Sequence, residues 1–493
     1  MNINLDQGSL QIIRTLQAHG HEAYLVGGSV RNALLKGKTT DFDITTSAEP
    51  EDIMSLFQHT IPTGIQHGTI TIVLDHIPYE VTTYRTDGEY LDSRHPISVQ
   101  FVRDLAQDLK RRDFTINAMA YDPLTGFLVD HFRGQEDLKS RLIRAVGNPS
   151  ERFHEDALRI IRGIRFAAQL NFNIEAETFK AMTELSHLLE HISKERIYAE
   201  LSHILMTEKP SVGIELLLYS GALHVIMPEL MPMAGFQQFT PHHDKDVFAH
   251  TMQVLDATRA HLPLRLAALF HDAGKPKTFS MDENGKGHFY GHEEESSAIA
   301  EQVMTRLRVD HATREQALLL INRHMTSLEM KRPIKIKRLI RDFGKDQIDL
   351  FFEFKQADQA GKAKAGVMNP NYSTLYNKVQ QIIADEEPLE LSDLAISGRD
   401  LLDLGFQPGP LIGQTLETLL NEVLANPELN HMEYLSQRAL FFLRKDTERR
   451  KSLGDPCSDH ETKEKEIKAV KKKSNGTAND QAIKETDHES RRD

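Results

Sequence analysis

A chain of 493 residues is too long for one hydrophobic core, so three or more structural units are expected. Its 40% hydrophobic content suits globular folding, and the single cysteine, Cys457, excludes an internal disulfide framework and fits the cytosol. A formal net charge of −13 excludes a chain that is basic all over, while leaving room for a local basic strip that carries nucleic-acid phosphates.

In chain order, residues 5–19 read as a helix, with Leu5, Leu10, Ile13 and Leu16 near helical spacing. Residues 24–46 then read as strand, Gly-rich turn, helix and strand. Gly27 and Gly28 carry no Cβ, so backbone amides there can approach a phosphate. Ser29 adds a hydroxyl and Arg31 a rigid cationic fork. Asp41 and Asp43 alternate across Phe42, which on a strand puts both carboxylates on one face and suits a divalent cation such as Mg2+. Residues 49–59 read as a short helix entered at Pro50. Alternation over 68–74 and 79–84, with Asp75 and His76 between, predicts a β-hairpin beside the Asp41 strand. Glu80 lies mid-strand in it, by itself an outward-facing charge. Residues 85–102, rich in Gly, Asp, Ser and Pro, read as a mobile loop.

Next comes Asp108-Leu-Lys-Arg-Arg-Asp-Phe-Thr-Ile-Asn-Ala, read as helical. Arg111 and Arg112 are candidates for a triphosphate, and Asp113 for an arginine or a sugar hydroxyl. Asn117 lies four residues on, along the same helical face. Residues 127–146 read as a second hairpin, closing a first domain near Gly147. From Asn148 the pattern is helical. Residues 151–170 read as one amphipathic helix burying Phe153, Ala157, Ile160, Ile164 and Ala167, with Asp156 and Arg159 a turn apart on the other side. Residues 241–325 spread four histidines, His250, His271, His292 and His324, over successive helices, together with Asp272; Asp358 follows. Imidazoles and carboxylates together suit a divalent transition metal. The run Lys331-Arg-Pro-Ile-Lys-Ile-Lys-Arg-Leu-Ile-Arg is either a solvated helix face or a phosphate contact. From about Thr447 the chain is charged, poor in apolar residues, and reads as a disordered tail. No apolar run has the length of a bilayer span, and no N-terminal signal pattern is present, so a cytoplasmic protein without a membrane partner is expected.

Gly-Gly-Ser-x-Arg at 27–31, Asp-x-Asp at 41–43 and Arg-Arg-Asp-Phe-Thr-x-Asn-Ala at 111–118 together resemble the nucleotidyltransferases of the DNA polymerase β superfamily. More closely, the chain resembles the bacterial tRNA nucleotidyltransferases that add CCA and their poly(A) polymerase relatives. Asn32 departs from that pattern, which has aspartate after the motif arginine; asparagine still accepts a hydrogen bond from it. The resemblance spans about 20–445. It implies an α+β protein in which a nucleotidyltransferase head of mixed sheet and helices precedes an all-α body with an HD domain. The segments expected are a head at 1–147, a helical neck at 148–235, an HD domain at 236–365, a C-terminal segment for tRNA at 366–446 and a tail at 447–493.

The resemblance further implies that Asp41 and Asp43 hold Mg2+ and that Glu80 completes the acidic cluster. Gly27, Gly28, Ser29, Arg31, Arg111, Arg112, Asp113 and Asn117 would serve nucleotide binding. Asp156 and Arg159, in a Glu-Asp-x-x-Arg motif, would read the base, with Arg162 beside them. The His-Asp pair followed by Gly274 and Lys275 resembles the HD metallophosphohydrolases. That implies His250, His271, Asp272 and Asp358 as a basic ligand set, with His292 and His324 as ligands for a second metal. The loop at 85–102 resembles one that CC-only relatives lack, which bears on addition of the final A. The implied partners are the tRNA 3′ end, CTP and ATP. The competing readings are an A-adding enzyme, a poly(A) polymerase, a phosphohydrolase with a vestigial head, and a non-catalytic RNA-binding module. The intact acidic pair and Arg-Arg-Asp string argue against the last two.

Overall fold

The computed structural model describes residues 6–35, 37, 42–87, 99–239, 245–362 and 369–452. Asp41 and residues 88–98 of the expected loop lie outside these. The chain forms two compact units, Met1–Met325 with Glu353–Val367, and Thr326–Phe352 with Met368–Asp493. The division falls inside one helix, Ile348–Ala360.

The first unit opens with a mixed sheet. Its strands are β1 (Ala23–Val26), β2 (Asp43–Thr46), β3 (Thr60–Gly64), β4 (Thr69–Leu74), β5 (Ile77–Thr83), β8 (Ala120–Tyr121) and β9 (Leu128–Val129), in the order β3-β4-β5-β2-β1-β8-β9. Between β5 and β8 in sequence, β6 (Arg85–Asp87) and β7 (Val99–Phe101) pair with each other. The contact of β2 with β5 is parallel and every other contact in the large sheet is antiparallel. Alternation decides the faces. Ile44, Ile70, Ile72 and Val81 are buried on the side covered by the helices Gln7–Ala18 and Pro50–Leu56, whose Ile12, Ile13, Leu16 and Ile53 are equally buried. The other side carries Asp43, Thr45 and Glu80, with the helix Leu105–Lys110 packed over Val26 and Tyr84. The β4–β5 turn uses Asp75 and His76, both with positive φ (49° and 66°), the two-residue geometry whose twist matches a hairpin.

Five expectations need correction. Residues 85–102 are not loop throughout, because β6 and β7 pair at its two ends. Residues 127–146 are not a hairpin: β9 pairs with β8, and Gly134–Lys139 is a helix whose first amides are accepted by the Asp130 carboxylate (2.8 and 3.0 Å). Leu142–Ile143 pairs instead with Asn173–Ile174 in parallel. Residues 113–117 are not one helical face, because the helix ends at Lys110 and only Thr115–Asn117 makes a 3₁₀ turn. Residues 151–170 are two helices, Pro149–Glu155 and Leu158–Leu170. Asp156 turns extended at the break, and its carboxylate takes the Leu158 amide (3.1 Å), the local competition with helix that aspartate favours. The helix Met432–Ser452 runs past Thr447, so the tail does not start there.

The rest of the first unit is mainly helical, including Lys194–Leu205, Val247–Ala257, Leu262–Phe270, His292–Arg306 and His311–Arg323, with one further two-stranded pair, Ser280–Met281 and Gly287–His288. The second unit packs Pro333–Phe343, Pro370–Ala384, Pro410–Ala425 and Met432–Ser452. There the basic run at 331–341 is partly engaged within its own unit. Lys337 is buried, donating to the Leu424 carbonyl (3.1 Å) and pairing with Glu387; Arg338 donates to Asn421 and Arg341 to Glu417. Lys331, Arg332 and Lys335 are exposed. Among the described residues no helix is long and apolar enough to cross a membrane.

Candidate functional site

Gly27 follows β1 with φ +69° and caps the helix Gly28–Leu34. A Cβ there would lie 3.3 Å from Asp43 Oδ2 and 3.5 Å from Arg112 Nη1, so the turn, the carboxylate and the guanidinium meet at one point. Ser29 is buried and its hydroxyl donates to the Val26 carbonyl (2.7 Å), which ties the turn to the strand. Arg31 is also buried rather than presented to solvent. Its guanidinium donates to Asn117 Oδ1 (2.6 Å) and twice to Asn32 Oδ1 (3.2 and 3.0 Å). Asn32 thus supplies the acceptor expected at this position.

From Asn117 a polar chain continues. Asn117 donates to Asp113 Oδ1 (3.2 Å), Arg162 donates to Asp113 Oδ2 (2.9 and 2.7 Å), and Arg162 reaches Glu200 (3.5 Å). Arg165 pairs with Glu200 at 2.6 Å. Arg31, Arg162 and Arg165 all stand against the Phe166 ring, 5.2, 5.5 and 4.2 Å from its centroid. Burial, and the proximity of Arg165, bring Arg31 down to about 10. Burial pushes the Asp113 carboxyl up, but Arg162 and Asn117 outweigh it and hold the group at about 2. Asp113 therefore binds an arginine.

Asp43 is exposed at the head of β2. Pairing of Ile44 with Val81 carries the parallel register back one step to Asp43 beside Glu80, also exposed. Both line a cavity of about 560 Å³ with Phe42, Thr71 and Tyr79. Oxygen donors on an open rim fit a hard divalent cation. Two residues along β2, Thr45 donates to Asp108 Oδ2 (3.3 Å). Asp108 is fully buried and also holds Arg111 (2.9 Å) and Arg112 (3.3 Å). Burial raises this carboxyl, yet the two arginines leave it below the ordinary range.

Asp156 and Arg159 do not pair with each other. Asp156 accepts from Arg196 (2.7 Å). Arg159 is buried and donates to Glu155 (2.6 Å), to the Arg152 carbonyl (3.1 Å) and to the Arg111 carbonyl (2.9 Å). That last bond ties the base-reading candidate to the triphosphate candidate.

The second constellation is buried. In each of His250, His271, His292 and His324, Nδ1 faces a backbone carbonyl, of Gly361, Ala268, Phe289 and Ile321 respectively, at 2.6–2.9 Å. A carbonyl only accepts, so Nδ1 carries the proton and a neutral ring turns its Nε2 lone pair inward. All four Nε2 atoms converge on the Asp272 carboxylate, at 3.5, 3.2, 3.6 and 3.9 Å. His292 and His324 oppose Nε2 to Nε2 at 3.1 Å. Two neutral lone pairs repel at that distance unless a cation or proton lies at hand. Two ligand groups share Asp272: His250 with His271, and His292 with His324, the atoms of each group within 4.8 Å of one another. The donor set fits a metal of the imidazole-binding class. Asp358 lies 3.4 Å from His250 Nε2 and is paired to Lys362 (2.7 Å), but belongs to neither group. Burial lowers His324 to about 3, helped by His271, whereas Asp272 and Asp358 outweigh burial to raise His271.

Residues 23–144 match the poly A polymerase head domain, 171–233 the probable RNA and SrmB-binding site of polymerase A, and 247–360 the HD domain. The CCA-adding enzyme of Streptococcus gordonii is 36% identical over 414 residues, which is 84% of this chain and 92% of that one. The chain belongs to the CCA-adding enzyme family. It is an enzyme of the nucleotidyltransferase class, and the family implies use of a divalent metal. The Streptococcus thermophilus CCA-adding enzyme is 36% identical over 436 residues, covering 87% of this chain and 96% of its own. The crystal structure of the Bacillus stearothermophilus CCA-adding enzyme in complex with CTP matches with a TM-score of 0.67 at 29% identity, over 90% of this chain and 98% of that one.

Several residues of these networks carry no local mark in the sequence, and one does. Asp108 was legible as a carboxylate three and four residues before two arginines on a helix. Arg165, Glu200 and Arg196 were not, because the ion pairs they make span about 35 to 40 positions, and spacing carries no such signal. Lys275 is buried with its ammonium 2.7 Å from Asp272 and 2.8 Å from Gln238.

Proposed function

We propose that this CCA-adding enzyme builds or repairs the 3′-terminal CCA of tRNA from CTP and ATP without a nucleic-acid template. The observation that supports it most is the meeting of exposed Asp43, left-handed Gly27 and Arg112 at one point. The tRNA terminal 3′-hydroxyl attacks the α-phosphorus of the bound triphosphate, and pyrophosphate leaves. Asp41 and Asp43 would hold Mg2+, which when bound would lower the pKa of the attacking hydroxyl and neutralise triphosphate charge. Gly27 leaves room for the phosphates, and the amides of Gly28 and Ser29 with Arg111 and Arg112 bind them. Asp108 fixes those two arginines relative to the strand of Asp43. Glu80 stands beside Asp43 to receive the hydroxyl proton.

Asp156 and Arg159 select the base. Ionised aspartate only accepts and arginine only donates. Cytosine and adenine both present an amino donor beside a ring-nitrogen acceptor, whereas uracil and guanine present the reverse. Asp156 exchanges Arg196 for the base amino group as the nucleotide enters. We place the reaction in the cytoplasm. The test is product length: tRNA lacking its last three nucleotides, given CTP and ATP, should gain three residues. Extension only of tRNA already ending in CC would mark an A-adding enzyme, and a long A tail a poly(A) polymerase.

The convergence of four Nδ1-anchored histidines on Asp272 favours a second reading beside the first, a transition metal in the HD domain with hydrolysis of a phosphate ester there. Metal analysis of the purified protein tests it. Absence of stoichiometric metal after growth in supplemented medium would leave the HD domain a structural element.

A further inference from the structure

The three guanidinium groups that stand against the Phe166 ring are not equally balanced. Arg165 has the Glu200 carboxylate at 2.6 Å, and Arg162 has Asp113 at 2.9 and 2.7 Å. The nitrogens of Arg31 donate only to amide oxygens, Nη1 to Asn117 and Nε and Nη2 to Asn32. Among the described residues no carboxylate pairs with Arg31. Asp113 acts on it across Asn117, but is already bonded to Arg162. Arg31 is nevertheless only 6% exposed. A buried cation without an anion is costly, because amide dipoles return only part of the hydration it has lost. Burial brings the group down to about 10, so it stays charged at neutral pH.

The position of this charge gives it a use. Nη2 lies 3.5 Å from the place a Cβ would take at Gly28, and Gly27 beside it faces Asp43 and Arg112. The unbalanced cation therefore lies under the turn to which the phosphates are assigned, where little water screens it. Asn32 stands where the family pattern has aspartate. A carboxylate 3.0 Å from the guanidinium would turn a single charge into a dipole, whose field falls off faster with distance. The amide holds the guanidinium in the same place and leaves its charge whole.

We propose that Asn32 sets this enzyme's preference for triphosphates: it holds Arg31 without neutralising it, so the polyphosphate of the entering CTP or ATP is the missing counter-ion. Asn32 acts through Arg31 and is a positioning residue. This rests on the reading of the Gly27 turn as the triphosphate site.

The experiment compares the full-length wild type with Asn32→Asp, a change of nearly equal shape that adds a charge. With Mg2+ and tRNA lacking its last three nucleotides, it measures kcat and KM for CTP and the inhibition constants of pyrophosphate and cytidine against CTP. Urea unfolding is followed in parallel. Asn32→Asp should raise the KM for CTP and the inhibition constant of pyrophosphate about fivefold each, leave cytidine unchanged, and keep kcat within about twofold. The unfolding midpoint should rise, because Arg31 gains a carboxylate. A more stable fold with weaker polyphosphate binding is a combination that damage to the turn does not produce. If CTP and pyrophosphate bind Asn32→Asp as tightly as the wild type, the proposal is wrong and the triphosphate site stands. Equal weakening of cytidine, or a lowered midpoint, makes Asn32 a packing residue and also overturns it. If pyrophosphate does not compete with CTP on the wild type, the assignment of the turn falls and takes the proposal with it.

Discussion

A carboxylate that must carry a cation cannot be exchanged for a methyl group, whereas the contacts that give RNA affinity are many and spread out. Asp43→Ala should therefore lower the rate of nucleotide addition by several orders of magnitude while tRNA affinity, measured by filter binding at fixed salt, changes less than about threefold. Near-normal turnover in Mg2+ would remove Asp43 from the metal site. Asp113 makes a different kind of claim. Its carboxyl is held at about 2, below the ordinary value of 3.8, by Arg162 and Asn117. A depressed folded-state pKa gives stability that is complete above the unfolded value and is lost as pH falls toward the folded one. The stability difference between the wild type and Asp113→Asn should be constant between pH 5 and 8, on the order of 2 kcal/mol or more. It should shrink between about pH 4 and 2, read by urea unfolding. A difference that changes near neutrality would mean another group is responsible.

At the scale of elements, base selection is assigned to a junction between two helices rather than to one helical face. Asp156 ends the first helix and Arg159 lies in the first turn of the second. Asp156→Ala with Arg159→Ala should let UTP and GTP be incorporated at rates comparable to CTP, against a discrimination of roughly 10⁴ when both groups are present. A double variant that is slow but still prefers CTP and ATP would make the pair structural. The β4–β5 hairpin of the sheet was legible in the sequence, because its two segments alternate and the Asp75-His76 turn has its own signature. The break at Asp156 was not: apolar residues keep helical spacing straight through it, and only the carboxylate's capture of the Leu158 amide interrupts the helix. Residues 127–146 misled for the opposite reason. Their apolar residues suggest strands, while the Asp130 cap nucleates a helix between them. Within the site, Gly27, Asp43, Arg112 and the four histidines were readable from local motifs. Arg31 was readable as a residue but not as a buried one, since its acceptor, Asn117, lies 86 positions along the chain.

Over the whole molecule, the head and the histidine cluster carry separate donor sets, although one compact unit contains both. His271→Ala with Asp272→Ala should abolish stoichiometric transition metal by mass spectrometry and leave CCA addition within about threefold of wild type. Asp272 is the carboxylate on which both ligand groups depend, and none of the groups at Asp43 touches it. Parallel loss of addition, with the fold intact by circular dichroism, would show that the two sites are coupled. The chain's course also limits how the protein can be shortened. It passes between the two units after Met325, after Phe352 and after residue 367. A nonsense codon anywhere between 326 and 352 would leave the sheet, Asp43 and every histidine of the cluster encoded. It would nonetheless remove Phe354, whose ring stands 5.6 Å from that of His271, and Asp358 beside His250. The first unit has no single carboxyl end at which a premature stop could release it whole, so truncations that spare every motif residue of the head still remove side chains packed against the histidine cluster.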